Sequence, residues 1–349
     1  MYLRKPVKRI AIVILNWNGK DFLEKFLPEV IRYSNSLSRI VIIDNASSDN
    51  SISLLTQHFP DIEIIQLDKN YGFTGGYNRG LKGIKEEYYV LLNSDVEVTE
   101  NWLEPLITFM DNHPDAAACQ PKIKSYQDRD LFEHAGAAGG YIDYLGYPFC
   151  RGRIMNMLET DHGQYDSIQR VFWATGACLF IRSKVFHEQG GFDDDFFAHM
   201  EEIDLCWRIQ QAGKEIYVVP ESQVYHVGGG TLPKNNPRKT YYNFRNNLFM
   251  LFKNLPGNQL ILLIPARLFL DGLAGIKFLF DGDIKDTYAV FKSHLSFYRY
   301  VLRNLSKRRK QQKLVVKHPS RGIYGKSIVV EYFINKIKHF KDLPSNNFS

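Results

Sequence analysis

The sequence predicts an α/β fold: a mostly parallel sheet with helices on both faces, followed by a mostly helical, basic C-terminal extension. Three observations lead there. Short apolar runs rich in β-branched residues alternate with amphipathic stretches through the first third of the chain, as in sheets covered on both faces by crossover helices. Several of those runs end on Asn or Asp, at the edge where such sheets bind ligands. The charge is also divided. Residues 1–230 hold 22 Lys+Arg and 32 Asp+Glu, a net of −10, whereas residues 231–349 hold 22 and 6, a net of +16.

Each element follows from its local pattern. Residues 10–15 (IAIVIL) form a strand ending at Asn16-Trp17-Asn18-Gly19. The run is too short to be the core of a signal peptide, so the protein is expected on the cytosolic side. Residues 21–33 read as a helix, 40–43 (IVII) as a second strand ending on Asp44-Asn45, 51–59 as a helix and 62–67 as a third strand. A glycine-rich loop (NYGFTGGYNRG, 70–80) then leads into a helix spanning about 76–85, and 88–92 make a fourth strand. Residues 120–170 read as irregular strands and loops that wall an acceptor. Residues 171–181 (VFWATGACLFI) read as a strand pair, 201–212 as a helix stopped by Gly213, and 215–220 as a strand leading to Tyr225-His226. The division expected is a sheet domain over residues 1–250 and a helical, basic region over 251–349, in keeping with roughly 100–200 residues per domain.

Composition narrows the function. The chain is 44% hydrophobic and 23% charged, ordinary globular usage. The four cysteines, Cys119, Cys150, Cys178 and Cys206, form no C-x-x-C pair, which argues against zinc and disulfide frameworks. Residues 259–280 (QLILLIPARLFLDGLAGIKFLF) are strongly apolar but interrupted by Pro265, Arg267, Asp271 and Lys277. This is a poor bilayer span and a better helix lying in a membrane interface. The basic residues downstream are mixed with Phe, Leu and Tyr and carry no recognition motif for nucleic acid, so an anionic membrane surface is the expected partner and nucleic acid is not.

Five pieces carry chemistry. In LLNSDVEV, Asn93, Asp95 and Glu97 recur at every second position of an extended chain, and carboxylates on such a rim suit a hard divalent cation. Acidic strand ends also serve as helix caps or solvated turns. Asp44 is able to accept from a ribose or base, or to cap the next helix. The glycine-rich segment lacks both the dinucleotide and the P-loop spacing, yet it lets backbone approach a ligand at a helix N-terminus. In FFAHMEEIDLCWR, Glu201 and Glu202 open a helix, as dipole-satisfying acids or as a general base. His226 follows a strand.

VILNWNG, IIDNASSDNS, NYGFTGGYNRG, LLNSDVEV, GACLFIRS, GGFDDDFFAHMEEIDLCWR and VYHVGGGT occur in the order seen in family 2 glycosyltransferases. The chain resembles the rhamnosyltransferase-like branch over roughly residues 8–250. The resemblance implies a GT-A fold, a nucleotide-diphosphate sugar donor (UDP- or dTDP-linked) and metal-dependent, inverting transfer of a hexosyl unit, with Mg²⁺ or Mn²⁺ as cofactor. It implies that Asn16, Asn18, Asp44, Asn70, Gly75, Asn78, Asn93 and Asp95 line the nucleotide. The family's DxD motif falls on Asn93-x-Asp95 or Asp95-x-Glu97, making Asp95 the main metal ligand, with Glu97 and His226 beside it. The base aligns with Glu202, a Glu where Asp is usual, with Glu201 in reserve. Asp193 and Trp173 would face the acceptor, a glycan or lipid-linked saccharide in cell-surface polysaccharide synthesis. The expected location is the inner face of the cell membrane. An inactive sugar-nucleotide-binding module is the alternative. A nucleotidyltransferase would need a glycine-rich, basic loop after the first strand, and Asn16-Trp17-Asn18-Gly19 is not one.

Overall fold

The computed structural model of the chain describes residues 8–228 and 236–349, so the end of the VYHVGGGT stretch, residues 229–231, lies outside it. The first part alternates as expected: β1 (Ile10–Asn16), α1 (Lys20–Ser34), β2 (Ser38–Asp44), α2 (Ser51–His58), β3 (Glu63–Gln66), α3 (Gly72–Gly80), β4 (Tyr88–Asn93), β5 (Val96–Val98), α4 (Glu104–Asn112) and β6 (Ala116–Ser125). The wall segment is a small sheet of short strands, β7 (Gly140–Asp143), β8 (Pro148–Cys150), β9 (Arg153–Ile154) and β10 (Met157–Leu158). Next come β11 (Gln169–Arg170), β12 (Cys178–Arg182), α5 (Ser183–Glu188), α6 (Glu201–Gln211) and β13 (Glu215–His226). The tail comprises α7 (Pro237–Asn254), α8 (Gly257–Phe280), α9 (Ile284–Arg299), α10 (Val301–Gln312), β14 (Ile323–Tyr324) and α11 (Ile328–Phe333).

Among the described residues the main sheet has nine strands in the order β11-β13-β6-β12-β4-β1-β2-β3, with β5 paired to β13. Strands β3, β2, β1 and β4 run parallel, and so do β6 and β13. The expected parallel sheet is interrupted, because β12 lies antiparallel between β4 and β6. Strand period then fills two cores. Along β1, Ala11 and Val13 join one apolar cluster with Tyr77, Leu205 and Ile209, while Ile10, Ile12 and Ile14 join another with Leu23, Leu27 and Leu106.

Two expectations change. The glycine-rich segment is itself the helix, since α3 occupies Gly72–Gly80 and only a 3₁₀ turn, Leu81–Gly83, follows. Glycine is needed there because helix and sheet approach closely: a side-chain carbon at Gly80 would stand 2.1 Å from Ile43 Cδ1. Residues 171–177 are irregular, so the expected strand pair reduces to β12. The division at residue 250 falls inside α7, whose Leu248, Phe249, Met250 and Leu251 are buried in the same cluster as Val13 and Leu205. The tail is mostly helical, as expected, and its one short strand, β14, pairs in parallel with β7 of the small sheet.

Ionic contacts lock the tail to the body. The Lys253 ammonium lies 2.7 Å from Asp193 and 2.8 Å from Asp204, and Asp204 also takes the Arg208 guanidinium at 2.9 Å and the Asn254 amide at 2.8 Å. Lys307 reaches Asp193 and Asp195, and Arg303 reaches Asp195 at 2.5 Å. These lysines hold the Asp193 carboxyl well below the usual carboxylate range against the opposing effect of burial. Removing one member of such a buried cluster leaves charge unpaired. Lys253→Met is therefore expected to cost about 3 kcal/mol of stability in urea denaturation, whereas Lys184→Met, removing an exposed pair with Glu188, is expected to cost well under 1 kcal/mol.

Candidate functional site

The carboxyl ends of β1, β2 and β4 form the rim. Asn16 stands opposite Asp44 and Leu15 opposite Asn93, so Asn16, Asp44 and Asn93 emerge together. The Asn16 amide donates to Asp44 Oδ1 at 3.0 Å and to Ser47 Oγ at 3.1 Å, and the Ser47 backbone N–H returns to Asp44 Oδ2 at 2.9 Å. Asp44 thus closes a turn and does not cap α2, whose preceding residue is Asn50. Asn18, in the left-handed region at φ 53°, accepts from the backbone N–H of Ser48 at 2.7 Å and of Asp49 at 3.3 Å. The two loops after β1 and β2 are stitched together, and buried Asn16 Oδ1 keeps no hydrogen-bond partner. Trp17 stands exposed between them.

The glycine-rich helix closes one side. Asn45 bonds Asn70 Oδ1 at 3.1 Å, the Gly72 carbonyl at 3.0 Å and the Tyr71 N–H at 2.9 Å. The first amides of α3 are not free for an anion: those of Phe73 and Thr74 both donate to the Phe197 carbonyl, at 2.7 and 3.3 Å. Gly72, at φ +72°, lets that loop approach, since a side-chain carbon there would meet the Phe197 ring at 2.6 Å. Asn70 is therefore a brace between the loop after β2 and the start of α3, its Oδ1 also taking the Gly72 N–H at 2.7 Å. Asn78 is turned away and exchanges hydrogen bonds with the Phe192 backbone at 2.8 and 2.9 Å. Gly75 packs against Tyr71 and Arg79.

On the other side of the rim, Asp95 Oδ1 lies 3.1 Å from His226 Nε2, and the Asn93 amide lies 3.5 Å from the same nitrogen. Glu133 stands behind the ring, with Oε2 3.3 Å from Nδ1. Burial works against the charged imidazole, but the Asp95 and Glu133 carboxylates outweigh it and raise its pKa to about 10. Glu133, likewise opposed by burial, is pulled down to about 2 chiefly by that ring. Glu97 does not join them. Its side chain pairs with Arg129 at 2.7 Å, because β5 aligns Glu97 with Tyr225 and Val96 with His226.

The helix mouth supplies the acid pair. Just before α6, Phe197, His199 and Met200 adopt φ of 64°, 71° and 70°. Such values strain side-chain-bearing residues and need support from their surroundings. The support comes from α7. The Asn246 amide donates to the carbonyls of Phe196 at 3.0 Å, Ala198 at 2.8 Å and His199 at 2.8 Å, and Arg245 holds the Asp195 carbonyl at 2.7 Å. On this base, Glu201 Oε2 and Glu202 Oε2 are buried without a hydrogen-bond partner. Burial, then the neighbouring Glu202 and Asp204, pushes the Glu201 carboxyl well up, and burial pushes Glu202 to about 7. A side-chain carbon at Gly176 would stand 3.8 Å from Glu202 Cβ, and the adjacent Ala177 carbonyl takes the Asn93 N–H at 2.9 Å. The pair is thereby joined to the strand-end rim.

Trp173 and Asp193 do not face an open surface. Trp173 is 4% exposed, its ring lies against Gly140, and its indole N–H goes to the Tyr141 carbonyl at 2.9 Å. Asp193 is held by Lys253 and Lys307. Sequence reasoning passed over Asn45, Ser47, Glu133, Arg245 and Asn246. The NASSDN run after β2 was a local signal for the first two; the others act across the fold.

A profile of the family described as glycosyl transferase family 2 matches residues 11–189. The N-acetylglucosaminyl-diphospho-decaprenol L-rhamnosyltransferase of Mycobacterium tuberculosis (strain ATCC 25618 / H37Rv) is 24% identical over 233 residues, covering 62% of this chain and 75% of the relative. Among solved structures, S. aureus TarS 1-349 in complex with UDP-GlcNAc superposes with a TM-score of 0.55 at 13% identity, covering 88% of this chain and 87% of that one. GalNAc-T7 with UDP, GalNAc and Mn²⁺ superposes at 0.54 with 18% identity, over 72% of this chain and 48% of that chain, so the match spans about half of GalNAc-T7.

The brace made by Asn246 has a direct readout. Asn246→Ala removes a donor shared by three carbonyls, and amide hydrogen exchange at residues 197–200 is expected to rise at least about tenfold with the far-UV spectrum unchanged. Unaltered exchange there would show that the strained loop holds itself.

Proposed function

Since this chain belongs to glycosyl transferase family 2, in its rhamnosyltransferase-like branch and with a GT-A fold, we propose that it moves a sugar from a UDP- or dTDP-linked donor to a hydroxyl of a glycan or lipid-linked acceptor, with inversion, at the inner face of the cell membrane. Glycosyl transfer in polysaccharide or glycan synthesis is the coarser statement and stands on the family. The observation that carries the finer one is half-buried Glu202, whose Oε2 is buried without a hydrogen-bond partner beside Gly176 and Ala177, the latter bonded to the rim. The inactive-module alternative has no finding in its favour.

In this reading the nucleoside diphosphate lies over Asn16 and Asp44. Glu202 accepts the proton of the acceptor hydroxyl as its oxygen bonds to the anomeric carbon on the face opposite the diphosphate. The bond from that carbon to the diphosphate oxygen breaks, and the electron pair leaves with the diphosphate. A carboxyl near 7 is matched to taking a proton at neutral pH, and burial that raises it also strengthens its pull on the hydroxyl.

Asp95 and His226 Nε2 converge within 3.1 Å, and the Glu133 carboxylate stands 3.3 Å from Nδ1, on the side where a carboxylate backs a metal-ligating histidine, without a hydrogen bond to it. Those groups would fit a divalent cation once the imidazolium gives up the Nε2 proton that faces Asp95, and GalNAc-T7 was solved with Mn²⁺. Among the described residues no three His, Cys, Asp or Glu side chains form a cation-binding group. The protein would therefore offer Asp95 and His226, with Asn93 alongside, and leave the other positions to diphosphate oxygens and water. A bound cation would neutralise charge on the departing diphosphate.

Calorimetric titration with UDP and dTDP, each with and without Mn²⁺, tests the donor site. Metal-dependent binding of one nucleotide, lost in Asp95→Ala, is expected; binding unaffected by metal or by that change would refute the assignment. Glu202→Gln is expected to lower transfer at least about 100-fold while nucleotide binding persists. Because the base must be ionised, the wild-type rate should climb as pH rises through about 7 and then level off.

A further inference from the structure

Helix α8 is built inside out. The residues it turns to the body are Ile264, Arg267, Asp271 and Gly275. Arg267 pairs with Asp271 at 3.3 Å, donates to the Leu145 carbonyl at 3.0 Å and lies 3.6 Å over the Tyr147 ring. The opposite arc carries Ile261, Leu262, Phe269, Leu273, Ile276 and Phe280, with Ile261 75% and Phe280 86% exposed. A helix that buries an ion pair and presents leucine and phenylalanine to the outside has a second apolar environment to meet.

Helix α9 packs beside α8 and continues that surface. Its exposed apolar residues are Ile284, Tyr288, Phe291, Leu295 and Tyr298, a stripe spaced by three and four. The residues one step on, Lys285, Lys292 and Arg299, are also exposed and form a basic row along one flank of the stripe. Apolar stripe, interfacial tyrosines and a flanking row of cations together describe a helix lying in a headgroup layer.

We propose that the α8–α9 face docks flat on an anionic lipid bilayer, with the α8 arc among the acyl chains and Lys285, Lys292 and Arg299 on lipid phosphates. The proposal deepens the membrane-side reading above and rests on it. By length and composition α8 is able to cross a bilayer. Crossing would strip Arg267 and Asp271 from Leu145 and Tyr147, whereas flat docking leaves those contacts in place.

The test is co-sedimentation of the full chain with vesicles of phosphatidylcholine alone or mixed with phosphatidylglycerol, without donor or acceptor. Binding to the mixed vesicles, weakened by salt, is expected. The triple change Ile261→Asp, Phe269→Asp, Phe280→Asp should reduce it at least about tenfold. The triple change Lys285→Ala, Lys292→Ala, Arg299→Ala should reduce binding to the anionic vesicles on the order of 100-fold and leave the weak binding to neutral ones unchanged. Nucleotide binding should survive both, which separates this proposal from the donor-site assignment. No sedimentation of the wild-type chain overturns it. So does a dimer in light scattering that the apolar changes dissociate, because the face would then belong to a second copy.

Discussion

The ammonium of Lys253, held between the carboxylates of Asp193 and Asp204, is the contact on which the rest of the molecule depends. It joins three elements that are distant in sequence: the acidic loop before α6, α6 itself and α7. Arg208 adds a second cation to Asp204 and ties the same helix to the carbonyls of Gln189 and Gly191. Desolvating this many charges is expensive, and only near-complete pairing makes it tolerable. The arrangement therefore permits one register of α7 against α6.

That register brings Asn246 and Arg245 under the strained loop. Three side-chain-bearing residues in the left-handed region would relax if left alone; here the carbonyls of Phe196, Ala198 and His199, in and around that turn, are pinned from α7, and the Phe197 carbonyl is held by the first amides of α3. The return is the orientation of Glu201 and Glu202 at the start of α6, in a buried setting that keeps protons on carboxyls to higher pH than water would. Local strain and desolvation are thus concentrated at one place, beside a strand-end rim braced by Asn16, Ser47, Asn45 and Asn18.

The tail's positive charge has two destinations. Arg245, Lys253, Arg303 and Lys307 turn inward onto the loop containing Asp193 and Asp195, so part of the excess read from composition is internal neutralisation. Lys285, Lys292 and Arg299 turn outward beside the exposed apolar stripe. Composition sums both groups and cannot separate them.

Much of the fold was legible because its signals are local. The β-branched runs, the polar residues at their ends and the glycine stop after α6 announce β1, β2, β4 and their rim, since strand period and turn chemistry act over a few residues. Seven motifs in order carried the family and pointed to Asp44, Asp95, His226 and the Glu201–Glu202 pair. Other assignments needed distances. Trp173 reads as a surface aromatic until Gly140 is seen against its ring, and Glu97 reads as a ligand until β5 pairs with β13 and gives it to Arg129. Asn246 braces a carbonyl 47 residues away, and Glu133, in the loop after β6, backs a histidine at the end of β13. The chain alone pointed to the family, the strand-end rim and the acid pair, because those are written in contiguous residues. Tertiary structure decided which polar side chains face the site, which brace it and which way the tail turns its charge, because hydrogen bonds and ion pairs across the fold depend on packing that no local pattern encodes.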